Sequence, residues 1–352
     1  MRYVGIICGL ALLLIMGVWA AAPTPPTTRP QTPEIVWTQN FGKRLKAAPV
    51  MTPAGLILPT DAGQVHLLDP ATGKPIWSAP VEGSAGQATC TEKLVYLGDE
   101  DGFMRCLDLA TGKERWQFAT QQTIVGAPLL ADGRIYFGSY NHKVYALDAD
   151  TGKELWSFTT DAEVHAPPRL VDNMLLVGGC DGFVRWLDPA TGKEVQQYKL
   201  GQNVASAPLI DTSVKPPLVV VAGMTGQVAA LTAADKVLWQ FDLKKKIQAD
   251  LIALPDAVGL YTLDGLFMAL NRDTGKTLAR FQLHDGERCA PLLTADTIYL
   301  LGDSRLYALD SKTYKKRWDF KLTGQPVATP ALSADALYIA QENGTLIKLR
   351  LP

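Results

Sequence analysis

The chain has 352 residues, of which 47% are hydrophobic, and its 34 Lys and Arg residues are balanced by 35 Asp and Glu residues. With a formal net charge of −1 and basic residues scattered along the chain, the sequence has no basic patch for nucleic acid, and we expect no nucleic-acid partner. The length exceeds that of a usual single core, so one domain requires a fold that grows by repetition.

Residues 1–22 form an apolar segment with a single basic residue, Arg2. This pattern predicts a secretory signal, with cleavage after Ala20 or Ala22, and therefore an exported protein that is periplasmic or otherwise extracytoplasmic. The alternative is an uncleaved membrane anchor, because the uncharged apolar run would extend about 28 Å as a helix. Residues 23–34 follow as a proline-rich linker that cannot pack into a core.

Beyond the linker, one short pattern recurs eight times. Its clearest copy is Ala-Leu-Asp-Ala-Asp-Thr-Gly-Lys-Glu-Leu-Trp at residues 146–156. The leucine in the second position marks each copy, at Leu68, Leu107, Leu147, Leu187, Leu231, Leu270, Leu309 and Leu349. A period of about forty residues without helical periodicity inside it indicates one small antiparallel sheet per repeat, which can bury its faces only against neighbouring sheets.

The repeat at residues 127–158 contains four short runs of β-branched, aromatic and aliphatic residues, each of which predicts a strand. Turns with glycine or other turn-forming residues separate the runs, at 132–133, 140–142 and 151–152. Four strands in meander order make one propeller blade. Eight copies therefore predict an all-β fold, an eight-bladed β-propeller of four-stranded antiparallel blades.

The eighth copy ends at Pro352, directly after its third strand. Near the other end of the chain, Ile35–Phe41 has the pattern of a fourth strand and precedes the first complete repeat. We expect this N-terminal strand to complete the C-terminal blade, which closes the ring and removes two exposed sheet edges. The propeller domain would then span residues 35–352.

The pattern Ala-x-Asp-x-x-Thr-Gly-Lys-x-x-x-Trp resembles the repeat signature of the quinoprotein-type β-propellers, also called PQQ-like repeats, over residues 34–352. An exported, stand-alone ring of this length is most similar to the BamB family, accessory subunits of the outer-membrane β-barrel assembly machinery. The resemblance implies that the tryptophan of each repeat is a docking residue that stacks on the glycine-bearing turn of a neighbouring blade. Six tryptophans occupy that position: Trp37, Trp77, Trp116, Trp156, Trp239 and Trp318.

The same resemblance raises the alternative of a PQQ-dependent dehydrogenase. Those enzymes bind PQQ and calcium at the centre of the ring, beneath a disulfide between adjacent cysteines, and use an aspartate base. This chain has no adjacent cysteines, and its segment Asp99–Gly102, which looks like a calcium loop, falls where every repeat has a hairpin turn. We therefore predict neither PQQ nor calcium.

Other chemistry has no better support. The sequence lacks the nucleophile elbow, the phosphate-binding glycine loop and the zinc-binding His-Glu-x-x-His pattern. Its four histidines are isolated along the chain: His66, His142, His165 and His284.

The cysteines are poorly placed for disulfides. Cys90 and Cys106 fall on the first and third strands of one blade, about 10 Å apart and too far to bridge. Cys180 and Cys289 fall in other blades. We predict four free thiols and a protein that is not an enzyme, without catalytic residues, cofactors or metals.

In a four-stranded meander, the loop that leads into the first strand and the turn between strands two and three lie on the same face, around the mouth of the central tunnel. We name these the lead-in loops and the lead-in face. Polar residues interrupt the repeat there and predict a partner-binding rim: Lys46, Glu163, His165, Asn203, Gln248, Asp250 and Arg288. The alternative is internal pairing of Asp250 with Arg288 or Gln248, because an unpaired buried carboxylate is costly.

In the resembled family, lead-in loops contact the barrel-insertase subunit, and the best matches here are Glu163–His165 and Asn203–Ala205. The Thr-Gly-Lys turns lie on the opposite face of the ring, which we name the turn face, and we expect their lysines to be solvated.

The sequence thus predicts an exported, monomeric, non-catalytic scaffold for protein–protein interaction in outer-membrane or envelope protein assembly. Its partners would be other envelope proteins, including a subunit of the β-barrel assembly machinery, and it would meet the membrane only through its N-terminal segment. The alternative is a ligand- or quinone-binding propeller, enzymatic or sensory, with its site in the central tunnel.

Two repeats lack the docking tryptophan. Gln196 and Ala279 stand in its place in blades four and six, and blade five between them carries an insertion at residues 212–217. Because a seam without an indole buries less apolar surface, we expect faster backbone amide hydrogen exchange in these three blades than in the rest of the ring. Uniform protection around the ring, measured by mass spectrometry, would contradict this expectation.

Overall fold

The computed structural model describes residues 32–352 apart from Lys43, Glu82, Ser84, Ala205, Ala234, Asp235 and 284–288. The predicted signal or anchor at 1–22 and most of the linker at 23–34 lie outside the described residues. In the described ranges the regular secondary structure consists of β-strands, which confirms the predicted all-β class. Those ranges contain no helix long and apolar enough to cross a membrane.

The strands form eight antiparallel sheets of four strands each. The first strand of the chain, β1 (Glu34–Asn40), belongs to the last blade. Blade one contains β2 (Val50–Thr52), β3 (Gly55–Thr60), β4 (Gln64–Leu68) and β5 (Pro75–Pro80). Blade two contains β6 (Ala85–Cys90), β7 (Leu94–Asp99), β8 (Phe103–Asp108) and β9 (Glu114–Ala119). Blade three contains β10 (Leu129–Ala131), β11 (Arg134–Ser139), β12 (Lys143–Asp148) and β13 (Glu154–Thr159).

The remaining blades repeat this order. Blade four contains β14 (Arg169–Val171), β15 (Met174–Gly178), β16 (Phe183–Leu187) and β17 (Glu194–Lys199). Blade five contains β18 (Leu209–Asp211), β19 (Leu218–Ala222), β20 (Gln227–Thr232) and β21 (Val237–Asp242). Blade six contains β22 (Ile252–Leu254), β23 (Ala257–Tyr261), β24 (Leu266–Asn271) and β25 (Thr277–Gln282). Blade seven contains β26 (Leu292–Leu293), β27 (Thr297–Leu301), β28 (Arg305–Asp310) and β29 (Lys316–Lys321). Blade eight contains β30 (Ala331–Leu332), β31 (Ala336–Ala340), β32 (Thr345–Arg350) and β1.

The ring is closed by β1, which pairs antiparallel with β32. Glu34 lies opposite Arg350 in this pair, and the two side chains form an ion pair at 2.6 Å. The two strands come from opposite ends of the chain, so no turn joins them. The predicted closure of the C-terminal blade by the N-terminal strand is confirmed.

Each blade shares its apolar core with its neighbours. The middle strands are buried on both faces, as in β3 and β7, because a sheet packs on either side of them. One hydrophobic cluster combines Tyr136 and Trp156 of blade three with Leu175 and Val177 of blade four. The fourth strands lie at the outside of the ring, and in β13 Trp156 is the residue that is buried.

Tryptophans join the blades near their outer edges. Trp156 lies on Gly192 in the turn of blade four, so closely that a Cβ on that glycine would be 2.5 Å from the indole. The indole N–H of Trp156 donates to the carbonyl of Pro189 at 3.0 Å. Because Gly192 also has a φ of 72°, a residue with a side chain would be strained there as well as crowded.

Four further tryptophans make the same two contacts. The donors Trp37, Trp77, Trp116 and Trp239 bond the carbonyls of Pro70, Leu109, Ala149 and Arg272 at 2.8 to 3.3 Å. They stack on Gly73, Gly112, Gly152 and Gly275, respectively. The sixth, Trp318 of blade seven, faces blade eight, where no turn joins the third and fourth strands.

The two seams without the tryptophan are filled differently. Gln196 donates from Nε2 to the carbonyl of Ala233 at 3.4 Å, the same repeat position that accepts the indole N–H elsewhere. Its cross-strand neighbour Trp186 is fully buried in this seam. Opposite Ala279, the next turn carries Tyr314 instead of glycine, at a φ of 57°, and both residues pack on one cluster. At each of these two seams, an aromatic side chain from another position, Trp186 or Tyr314, thus takes the place of the docking indole.

Replacing Trp156 by alanine should lower the free energy of unfolding by about 3 to 5 kcal/mol, because it leaves a cavity between two blades and removes the indole hydrogen bond to the Pro189 carbonyl. The matched control is Leu155→Ala on the same strand, where the side chain is 46% exposed and the change should stay within about 0.5 kcal/mol. Urea denaturation followed by circular dichroism measures both. Equal effects of the two substitutions would show that the indole does not stabilise the seam.

Candidate functional site

The lead-in loops and the turns between strands two and three surround a cavity of about 310 Å³ on the ring axis. Blades two to eight all contribute to its wall, through residues that include Gln87, Tyr140, His165, Met224, Asp250 and Thr329. Backbone hydrogen bonds connect the two sets of loops. The N–H groups of Cys180 and Met224 donate to the carbonyls of Glu163 and Asn203 at 2.9 and 2.8 Å.

Asp250 contributes a carboxylate to this cavity. One carboxylate oxygen accepts a hydrogen bond from the backbone N–H of Ala207 at 2.7 Å, and the other lies 3.8 Å from the guanidinium of Arg169. Burial raises the pKa of Asp250, and these two contacts oppose the shift only in part. Of the partners suggested by the sequence, Arg288 lies outside the described residues and Gln248 is exposed.

His165 stacks on Tyr140 from the neighbouring blade. The ring centroids are 4.4 Å apart and the planes are 5° from parallel. Burial lowers the pKa of His165, and the nearby Glu163 carboxylate opposes that shift. The lowered pKa favours the neutral imidazole, and the stacked pair forms a flat part of the tunnel wall.

Lys46, in the lead-in loop of blade one, contacts the turns between strands two and three of the first two blades. Its ammonium group contacts Asp61 at 3.0 Å and Glu100 at 3.1 Å. The hydrogen bond to Asp61 raises the pKa of Lys46 despite its partial burial. Because all three groups are partly exposed, this network contributes little stability and its charges stay available to a partner.

Asn203, Glu163 and Gln248 complete the described part of the rim. Asn203 has a φ of 49°, a conformation that asparagine tolerates, and its side-chain oxygen accepts a hydrogen bond from the Cys180 thiol at 3.4 Å. Glu163 is half-buried and Gln248 is exposed. Five of the six described rim residues thus come from the lead-in loops of the adjacent blades four, five and six, and Lys46 comes from blade one, across the ring.

The donor groups present do not form a metal site in the described part of the chain, where no three His, Cys, Asp or Glu side chains converge. Asp99, in the segment that looks like a calcium loop, accepts a hydrogen bond from the Phe103 N–H at 2.8 Å and pairs with Arg105 at 2.9 Å. Burial raises the pKa of the Cys90 thiol to about 12 and that of Cys180 to about 11. These free cysteines are protonated and weakly nucleophilic at neutral pH.

The sequence placed the turns between strands two and three on the lead-in face, but none of their residues was among those predicted for the rim. Those turns supply Tyr140, Asp61 and Glu100, which contact the predicted rim residues. A signal was available, because these residues share one position of the repeat and vary strongly in chemistry there. Arg169, at the start of β14, gave no signal of its role beside Asp250.

A family model described as outer membrane protein assembly factor BamB matches the chain in overlapping segments that cover 28–126, 104–231, 180–302 and 224–351. The chain belongs to the BamB family. Its crystallised relatives include BamB from Moraxella catarrhalis, which superimposes with a TM-score of 0.79 at 19% identity, over 91% of this chain and 100% of that chain. The resemblance to PQQ-like repeat propellers of the BamB type is confirmed.

This BamB-family chain also resembles quinoproteins. The quinohemoprotein alcohol dehydrogenase structure from Comamonas testosteroni superimposes with a TM-score of 0.77 at 16% identity, over 92% of this chain and 78% of that chain, which shows a shared fold. In sequence, quinoprotein alcohol dehydrogenase PedE of Pseudomonas putida is 38% identical over 71 residues, 19% of this chain and 11% of its own length. The Comamonas enzyme is 30% identical over 121 residues, which is 17% of its length. The sequence matches therefore span less than a fifth of the length of these two enzymes.

Replacing Asp250 by asparagine should stabilise the protein at pH 7 and not at pH 3. The raised pKa means that the folded state binds the proton more tightly than the unfolded chain, so ionisation of Asp250 costs stability as pH rises above the ordinary aspartate range. Asparagine keeps an acceptor for the Ala207 N–H without the charge. Urea denaturation at both pH values measures the effect, and Asp273→Asn, at a side chain that is 79% exposed, is the control. An unchanged or lower stability of Asp250→Asn at pH 7 would contradict the argument.

Proposed function

We propose that this protein is an exported, non-catalytic scaffold that binds another envelope protein through its lead-in face and acts in the assembly of outer-membrane proteins. One observation carries the proposal: the chain matches the BamB family over nearly all of its propeller, and the Moraxella BamB over the whole length of that protein. In sequence, the similarity to dehydrogenases covers only a small part of their length, and the superposition on the Comamonas enzyme shows a shared fold alone.

The lead-in face has the features of a protein-binding surface. The lead-in loops present Lys46 and Glu163, and they place the exposed Gln248 at the tunnel mouth, where a partner can reach it. The tunnel mouth itself is partly filled by the stacked pair of His165 and Tyr140. Charged and amide groups around the partly filled tunnel mouth favour docking of a polar protein surface. Complementary charges on the two surfaces then set the orientation and the choice of partner.

The second candidate is a quinone- or ligand-binding propeller with its site in the tunnel, which the sequence similarity to quinoprotein dehydrogenases favours. The residues at the mouth do not fit PQQ with calcium. Asp250 is engaged by Ala207 and Arg169, and the described chain offers no cluster of three carboxylate, imidazole or thiolate ligands. This candidate is therefore the weaker one.

A photocrosslinking experiment tests the proposal. The photoreactive residue p-benzoylphenylalanine is placed at Gln248 on the lead-in face or at Lys193 on the turn face, both exposed, in the full chain in its native envelope. We expect illumination to link Gln248 variants to a β-barrel assembly subunit and Lys193 variants not to capture that subunit. Equal capture from both faces, or no envelope protein from either, would contradict the proposal.

The rim itself is tested by combining Glu163→Ala, His165→Ala and Asn203→Gly, where glycine tolerates the positive φ of Asn203. We expect capture of the partner to fall at least about tenfold, equivalent to about 1.4 kcal/mol of binding free energy. Circular dichroism checks that the variant is folded. Undiminished capture by the folded variant would remove Glu163, His165 and Asn203 from the interface.

A further inference from the structure

Three seams of the ring contain a clamp for a backbone carbonyl. In blade two, the indole N–H of Trp116 and the hydroxyl of Tyr96 both donate to the carbonyl of Ala149, at 3.0 and 3.2 Å. The pairs Trp37 with Tyr338 and Trp156 with Tyr136 hold the carbonyls of Pro70 and Pro189 in the same way. In all three pairs the ring centroids are 5.8 to 6.0 Å apart and the planes are tilted by 43 to 49°.

Blade seven has the same aromatic pair without the turn. Tyr299 and Trp318 lie 5.9 Å apart with a tilt of 48°. The neighbouring blade has no turn to place on them, because its third and fourth strands, β32 and β1, come from opposite ends of the chain. Among the described residues the indole N–H of Trp318 has no acceptor. At the other seams a turn of the same chain binds to this pair of rings. In blade seven the pair has the same geometry without such a turn, so it is preformed to bind one from elsewhere.

A groove of about 990 Å³ lies over this pair, on the turn face. Its charged residues are mostly paired: Arg317 contacts Asp296 and Asp310, and Arg350 contacts Glu34. Asp335, an exposed residue of the groove wall, makes no ion pair with the described residues. The groove therefore combines the unpaired carboxylate of Asp335 with an indole face and an indole N–H.

We propose that this groove binds a glycine-lysine turn displayed by another protein. The carbonyl three residues before the glycine would accept the Trp318 N–H, as at the five complete seams. Glycine is required because a Cβ at the equivalent positions would lie 2.5 to 2.8 Å from the indole. The lysine that follows the glycine in all five turns matches the charge of Asp335.

A different protein fits the groove better than a second copy of this chain. The glycines of the five Thr-Gly-Lys turns in each copy already lie against the tryptophans of their own ring. Docking one of them on a second molecule would break a seam that stabilises its own fold. The site is separate from the lead-in face, so it would add a second partner on the opposite side of the scaffold.

The probe is a fluorescent peptide with the sequence of residues 146–156, cyclised through a disulfide between two cysteines added at its ends. It is titrated into the full chain and followed by fluorescence anisotropy. We expect saturable binding tighter than about 1 mM. Gly152→Ala in the peptide or Trp318→Ala in the protein should weaken binding about 30-fold or more, as for a buried aromatic anchor. Asp335→Asn should weaken it severalfold and reduce its salt dependence, whereas Asp273→Asn, on an occupied turn, should have no effect.

Trp318→Phe keeps an apolar ring and removes the N–H donor. It therefore separates loss of the hydrogen bond from loss of binding caused by misfolding. It should weaken binding while the circular dichroism spectrum stays unchanged, and the indole N–H signal of Trp318 should shift on binding in the NMR spectrum of the parent chain. Binding that is insensitive to Trp318→Ala, or absent altogether, overturns the proposal. Binding that appears only after deletion of residues 23–31 also overturns it, since the chain's own proline-rich segment would then be the occupant.

Discussion

The contact between an indole and a tight turn is the interaction on which this ring depends. A blade of four short strands cannot bury its own faces, and each hydrophobic cluster draws on two blades, as where Tyr136 and Trp156 meet Leu175 and Val177. The indole fixes the relative position of the two sheets, because its face admits only glycine and its N–H admits only one carbonyl. The remaining apolar contacts then need to match in shape only approximately.

This constraint separates the two faces of the ring. The turn face must keep its Asp-x-x-Thr-Gly-Lys pattern, since the turns complete the seams, and it is therefore nearly uniform. The lead-in loops do not complete the tryptophan seams, so their sequences are not constrained in this way. They are joined to the neighbouring turns by backbone hydrogen bonds, such as Met224 N–H to the Asn203 carbonyl, which accept many side chains. Chemical variety therefore accumulates on the lead-in face, which is where a partner-specific surface can form without loss of stability.

The sequence predicted what depends on neighbouring residues and on the period. Strands such as β12, the glycine turns and the closing strand β1 follow from local patterns that repeat. It did not predict contacts that depend on the curvature of the closed ring. Asp250 is held by Ala207 and Arg169 from two other blades, and His165 is covered by Tyr140 from a turn that the sequence alone does not place beside it. The rings of Trp186 and Tyr314 that fill the seams at Gln196 and Ala279 likewise became evident only in three dimensions.

The pairing of Glu34 with Arg350 joins positions 316 residues apart. Seven blades can form from hairpins as the chain emerges, but β1 is made first and its partner β32 last. At about 5 to 20 residues per second, β1 waits roughly 15 to 60 s with both edges unpaired. Its apolar residues Ile35 and Val36 remain partly exposed even in the finished ring. During synthesis this strand therefore waits longest for its partner, with unpaired edges that a chaperone would shield.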